Sequence, residues 1–86
     1  MKVFEIKEQG ETTHICFDGN ENEAKEWYVE ETMCDENEID SVVEIPQEKW
    51  KEIKVTFQEE DGFTTTVEEL MKGNKYPEIL CSTAYL

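Results

Sequence analysis

The stretch "KVFEIKEQGETTHICF" constrains the fold more than any other part of this chain. "KVFEIK" alternates, which places Phe4 and Ile6 on one face of an extended strand and Val3, Glu5 and Lys7 on the other. "EQGET" follows as a turn containing Gly10, and "THICFD" alternates again, setting Ile15 and Phe17 together. Two such runs across a short Gly-containing loop predict a β-hairpin.

A cover for its apolar face follows directly in sequence. "DGN" breaks the strand, and a helix is expected from about Glu21 to Thr32. Asn20 is its candidate N-cap, with Glu21 and Glu23 placed to offset the positive helix end. At about 100° per residue, Ala24, Trp27 and Tyr28 fall on the side that packs against the hairpin. Glu23, Glu26 and Glu30 fall within about 60° of one another on the opposite side. Glu31 projects between Trp27 and Tyr28, either at the rim of the contact or against a partner.

Downstream, "CDENE" reads as a charged loop, too polar for regular structure, and "IDSVVEI" as a third strand with Val43 and Ile45 on one face. Pro46 suits a first helical position, so "PQEKWKEI" forms a short helical turn presenting Trp50 and Ile53. "IKVTFQ" alternates through Ile53, Val55 and Phe57 as an optional fourth strand. Asp61-Gly62 is a hairpin turn pair, but helical signals follow closely, so a loop or a short hairpin is expected there. "TVEELMKGN" is helical in character, with Thr66 and Glu69 spaced as a capping box and Gly73 as a stop, giving a short helix from Val67 to Lys72. "PEILCSTAY" closes as a strand with Ile79, Cys81, Thr83 and Tyr85 on one face. The order β-β-α-β, short helix, possible strand, helix, strand predicts an α+β fold, a small antiparallel sheet packed against one main helix.

Eighty-six residues make a single domain, residues 1–86, with one small core and modest stability. At 37% hydrophobic, the chain carries enough apolar content to fold. No apolar run approaches the roughly 18 residues that cross a bilayer. The charged, alternating N-terminus is unlike a signal peptide, so a cytoplasmic setting without a membrane partner is expected. Cys16, Cys34 and Cys81 are odd in number and irregularly spaced, which suits reduced thiols rather than a disulfide framework.

Charge bounds the partner. Asp and Glu total 22 against eight lysines, a net charge of −14. Arg is absent, which removes the forked donor favoured for phosphate recognition. Such a surface repels nucleic acid directly, because binding a phosphate backbone requires cations that displace its counterions. Its complement is a basic protein surface, such as that of a nucleic-acid-binding protein. The segment "NENEAKEWYVEETMCDENEID" concentrates nine carboxylates against one lysine. Glu23, Glu26 and Glu30, continued by Asp35, Glu36, Glu38 and Asp40, are the candidate partner-binding residues. Helix positions three and four apart hold Cβ atoms roughly 5–6 Å apart, comparable to phosphate steps along a nucleic-acid strand. Two readings stand side by side: a docking surface, and a solvated face that serves solubility.

Chemistry has less to work with. His14 is the only histidine, beside Cys16 on the face expected to point outward if Ile15 and Phe17 are buried. Nothing in the sequence supplies the third, orienting group that a catalytic pair needs. His14, Cys16, Cys34 and Cys81 have zinc-ligand chemistry but no C-x-x-C spacing. "DGNENE" offers Asp18, Asn20 and Asn22 at alternate positions, yet Glu23 stands where a calcium loop needs glycine and Val29 where it needs a closing glutamate. Abundant carboxylates follow from composition and do not define a glycosidase pair. No catalytic, metal or cofactor site is therefore expected.

The layout of the hairpin, "ENEAKEWYVEET", "VVEIPQEKW", "TVEELMKG" and "PEILCSTAY" resembles that of small acidic proteins encoded by bacteriophages and prophages. Many of these have no known function. Others inhibit host defence or repair enzymes, including anti-CRISPR proteins and DNA mimics that occupy basic channels. The resemblance implies a non-enzymatic inhibitor acting in a host cytoplasm, and carries over no individual site residue. The other expectation is a small structural or accessory domain that self-associates, as a homodimer, through a sheet edge such as the C-terminal strand.

Overall fold

Both alternating runs become strands: β1 spans Lys2–Glu8 and β2 spans Glu11–Phe17, paired antiparallel with Phe4 opposite Ile15 and Ile6 opposite Thr13. The structure, a computed structural model, describes residues 1–57 and 63–82. The hairpin turns on Gln9 (φ 44°) and Gly10 (φ 83°). Positive φ at both central residues is what a two-residue turn needs to match the right-handed twist of its strands.

Two further strands flank the hairpin. β3 (Ile39–Ile45) pairs with β1, and β6 (Glu78–Ser82) pairs with β2, giving an antiparallel sheet in the order β3-β1-β2-β6. Between them in sequence, β4 (Lys54–Phe57) and β5 (Phe63–Thr66) form a separate antiparallel pair. The Asp61-Gly62 turn expected from sequence lies outside the described residues, as do Thr83 and Tyr85. The fold is α+β, as its sequence pattern predicts.

The helix α1 runs Glu21–Thr32, on the bounds expected. Its N-terminus is closed reciprocally. The Asn20 side chain accepts from the Glu23 backbone N–H at 2.8 Å, and the Asn20 backbone N–H donates to the Glu23 carboxylate at 3.1 Å. Two of the orphan donors of the first turn are thereby satisfied. Ala24 and Tyr28 are buried against Phe4, Ile6 and Ile15, with Trp27 packed at the edge beside Phe17. Glu31 is exposed, so it sits at the rim and needs no partner inside the contact.

The opposite face of the sheet is covered too, which the sequence pattern does not announce. A 3₁₀ helix (Gln47–Glu52), β4 and the short helix α2 (Val67–Met71) bring Trp50, Ile53, Val55, Val67 and Leu70 onto Val3, Cys16 and Leu80. Pro46 precedes that 3₁₀ helix, and Trp50 donates its indole N–H to the Ile45 carbonyl at 3.1 Å. A backbone bond of 3.0 Å from Val67 N–H to the Ile53 carbonyl ties α2 to the start of β4. Thr66 caps α2 as expected, and the helix ends one residue before Lys72.

Three expectations are corrected. Cys16 does not face outward: it is fully buried in this second cluster, because the sheet is sandwiched rather than one-sided. Ile79 and Cys81 do not share a face. The register of β6 shifts between its pairings with His14 and Ile15, so an extra residue, Leu80, is accommodated. Such a bulge resets the alternation. Ile79 packs in the α1 cluster, whereas Leu80 and Cys81 pack in the other. Finally, "CDENE" is not wholly irregular, since Glu36–Glu38 form a 3₁₀ turn capped by the Asp35 carboxylate, which accepts from Asn37 N–H at 2.9 Å.

Candidate functional site

The outer side of α1 carries the acidic residues singled out by sequence. Glu23, Glu26 and Glu30 are all exposed, and Met33 follows at the helix end in a left-handed conformation (φ 56°), 90% exposed. Glu30 falls in the last turn of α1, which contains no basic residue. The negative end of the helix dipole disfavours carboxylates there, so this placement costs helix stability rather than adding to it.

The lysines do not relieve that charge. Lys2 pairs with Glu44, Lys7 with Glu5, Lys49 with Glu52 and Lys72 with Glu69. Lys25, the single lysine of α1, reaches Glu36 at 3.6 Å. At about 100° per residue, Lys25 stands at least about 100° around the helix from Glu23, Glu26 and Glu30. Among the described residues, none of these three glutamates has an ion-pair partner. Their carboxylates face solvent except for the capping bond of Glu23.

The second half of the candidate set is arranged differently. Asp35 is spent as a cap, Glu36 is paired with Lys25, Glu38 is half-buried, and Asp40 is exposed on β3. Lys25 therefore neutralises part of the 3₁₀ turn and leaves the helical glutamates uncompensated, so the seven acids differ in how far each is free to meet a partner.

The other sheet face holds a constellation that sequence reasoning missed. Glu5, His14 and Cys81 are cross-strand neighbours on β1, β2 and β6. His14 Nε2 lies 3.2 Å from Glu5 Oε2, and His14 Nδ1 lies 3.6 Å from Cys81 Sγ. The sequence pairs His14 with Cys16, its neighbour along the strand. Instead, the Cys16 thiol donates to the Tyr76 carbonyl at 3.3 Å and accepts from Asn74 at 3.4 Å. Burial pushes the pKa of both the Cys16 and the Cys81 thiol up. Cys34 packs in the α1 cluster, across the sheet from the other two cysteines. Among the described residues no group of three or more His, Cys, Asp or Glu side chains is placed to hold a metal ion. The signal for Cys81 beside His14 is the pairing of β2 with β6 across 67 residues of chain, and it is not local.

No helix among the described residues is long and apolar enough to cross a membrane. Comparisons with protein-family models, with curated proteins and with solved structures return no match.

Proposed function

We propose that this chain is a non-enzymatic acidic binding protein that blocks a basic surface on a nucleic-acid-handling partner. The observation that carries this reading is the outer side of α1, where Glu23, Glu26 and Glu30 are exposed without an ion-pair partner among the described residues. With a net charge of −14, self-repulsion opposes folding, and a cationic partner would relieve it. Met33 gives the patch an apolar tip that a partner can desolvate. Asp35, Glu36, Glu38 and Asp40 would extend the contact as a rim. The resemblance to phage and prophage proteins supports a host defence or repair protein as the target, by nucleic-acid mimicry, in the host cytoplasm.

The test is affinity capture from host lysate at low and high salt, followed by titration of the captured protein with purified variants. The triple reversal Glu23→Lys, Glu26→Lys and Glu30→Lys is expected to weaken binding at least tenfold at about 0.1 M salt, and the loss should shrink as salt screens the contact. Wild-type affinity in the triple variant would remove α1 from the interface.

A second reading rests on the sheet order. β3 and β6 are edges, and Val43 on β3 is 49% exposed. Unpaired strand edges template self-association, although Asp40 and Glu44 on the same strand oppose it. If edge pairing makes a homodimer, sedimentation will give a concentration-dependent mass, and Val43→Lys will return the chain to monomer. A monomeric wild type at high concentration discards this reading.

A further inference from the structure

We propose that Cys81 is a base-assisted thiol that undergoes exchange with small uncharged disulfides, with His14 as the base and Glu5 as its positioning residue. This site lies on the sheet face opposite α1 and is independent of the binding function proposed above.

The geometry assigns the proton positions. A carboxylate only accepts, so His14 Nε2–H donates to Glu5 Oε2 at 3.2 Å. That bond fixes the tautomer and leaves the Nδ1 lone pair directed at Cys81 Sγ, 3.6 Å away, where the thiol proton is donated. Three strands hold the three groups in register, so the arrangement is built into the sheet. The bulge at Leu80 is what turns Cys81 to the histidine side.

The row sits at the rim of the second core. Val43, opposite Glu5 on β3, is exposed, and the side chains of His14 and Glu5 retain 12% and 28% of their accessibility. Cys81 is half-buried, so a narrow reagent can reach it while bulk solvent is limited. Because burial raises the thiol pKa, little thiolate is present at neutral pH, and removal of the proton by a neighbour governs the rate. Cys16 lacks such a neighbour: its thiol donates to a backbone carbonyl and is fully buried. The strongly anionic surface disfavours acidic disulfides relative to uncharged ones.

In the step itself, Cys81 Sγ attacks one sulfur of R–S–S–R. The thiol proton passes to His14 Nδ1, the S–S bond of the reagent breaks, and its electron pair leaves with RS⁻. The new Cys81–S–S–R bond is complete when His14 returns the proton to give RSH. The reagent disulfide is the oxidant, and no other reactant is consumed.

The test uses the full chain with dithiodipyridine, following released thione by absorbance and locating the adduct by peptide mass mapping. Cys81 is expected to react ahead of Cys16. His14→Asn keeps an acceptor near the Nδ1 position without its basicity and should slow Cys81 about tenfold or more, leaving the rate at Cys34 unchanged. Glu5→Gln should slow Cys81 by a smaller factor. A purely structural role for either residue predicts the opposite sign, because loosening the sheet speeds labelling at every thiol. Reaction of Cys81 in His14→Asn at the wild-type rate overturns the proposal. So does labelling of Cys81 only in step with fully buried Cys16, since that reports global unfolding.

Discussion

Phe4→Ala will shift the unfolding equilibrium by about 3–5 kcal/mol toward the unfolded chain. Phe4 is fully buried at the centre of the sheet, under Ala24 and Tyr28 of α1 and beside Ile6 and Ile15. Removing its ring forfeits the transfer free energy of the side chain and leaves a cavity that flanking strands on both sides prevent from closing. Domains of this length are stable by about 4–13 kcal/mol in all, at roughly 0.05–0.15 kcal/mol per residue. The loss is therefore a large share of the whole. Urea unfolding followed by tryptophan fluorescence measures it directly, since Trp27 and Trp50 each pack against one of the two clusters. A shift below about 1 kcal/mol would mean that the α1 face is not the principal core.

The second large effect appears in alkali. Tyr28 is buried, its hydroxyl donates to the Glu8 carboxylate, and it lies 3.4 Å from Thr13 Oγ1, which in turn meets Ser82 at 2.8 Å. Burial first, and the carboxylate second, raise the phenol pKa from 10.0 to about 12. Below pH 10 both folded and unfolded chains keep the proton, and the stabilisation is fully present. Above it the unfolded chain ionises first, so stability falls as pH rises from about 10 to about 12. Two units at about 1.36 kcal/mol each give a loss on the order of 2–3 kcal/mol. Tyr28→Phe has no proton to lose. Its stability deficit against wild type should therefore be clear at pH 8 and should shrink through the window to pH 12. A deficit that stays constant with pH would show that the phenol titrates alike in both states.

Much of this fold is legible because its signals are local. The hairpin follows from period-two alternation through Phe4, Ile6, Ile15 and Phe17 around one glycine. α1 follows from Asn20 as N-cap, Glu21 and Glu23 in the first turn, and Ala24, Trp27 and Tyr28 on one side. The solvent-facing placement of Glu23, Glu26 and Glu30 follows from the same geometry, since a helix fixes which residues stand opposite its buried side.

What could not be read there involves partners distant in sequence. A strand looks the same whether one or both of its faces are covered, so Val3 and Cys16 read as outward until the 3₁₀ helix, β4 and α2 fold over them. The bulge at Leu80 shifts one register step, and a single step reverses which side every following residue faces. That step placed Cys81 beside His14 instead of beside Ile79.

Local pattern alone thus determined the helix, the strands and the excess of negative charge, since those depend on neighbours within a few positions. Only the tertiary structure decided which lysine meets which acid, that both sides of the sheet are covered, and which cysteine the histidine touches. Those outcomes depend on pairing between strands far apart along the chain, and alternation carries no record of that pairing.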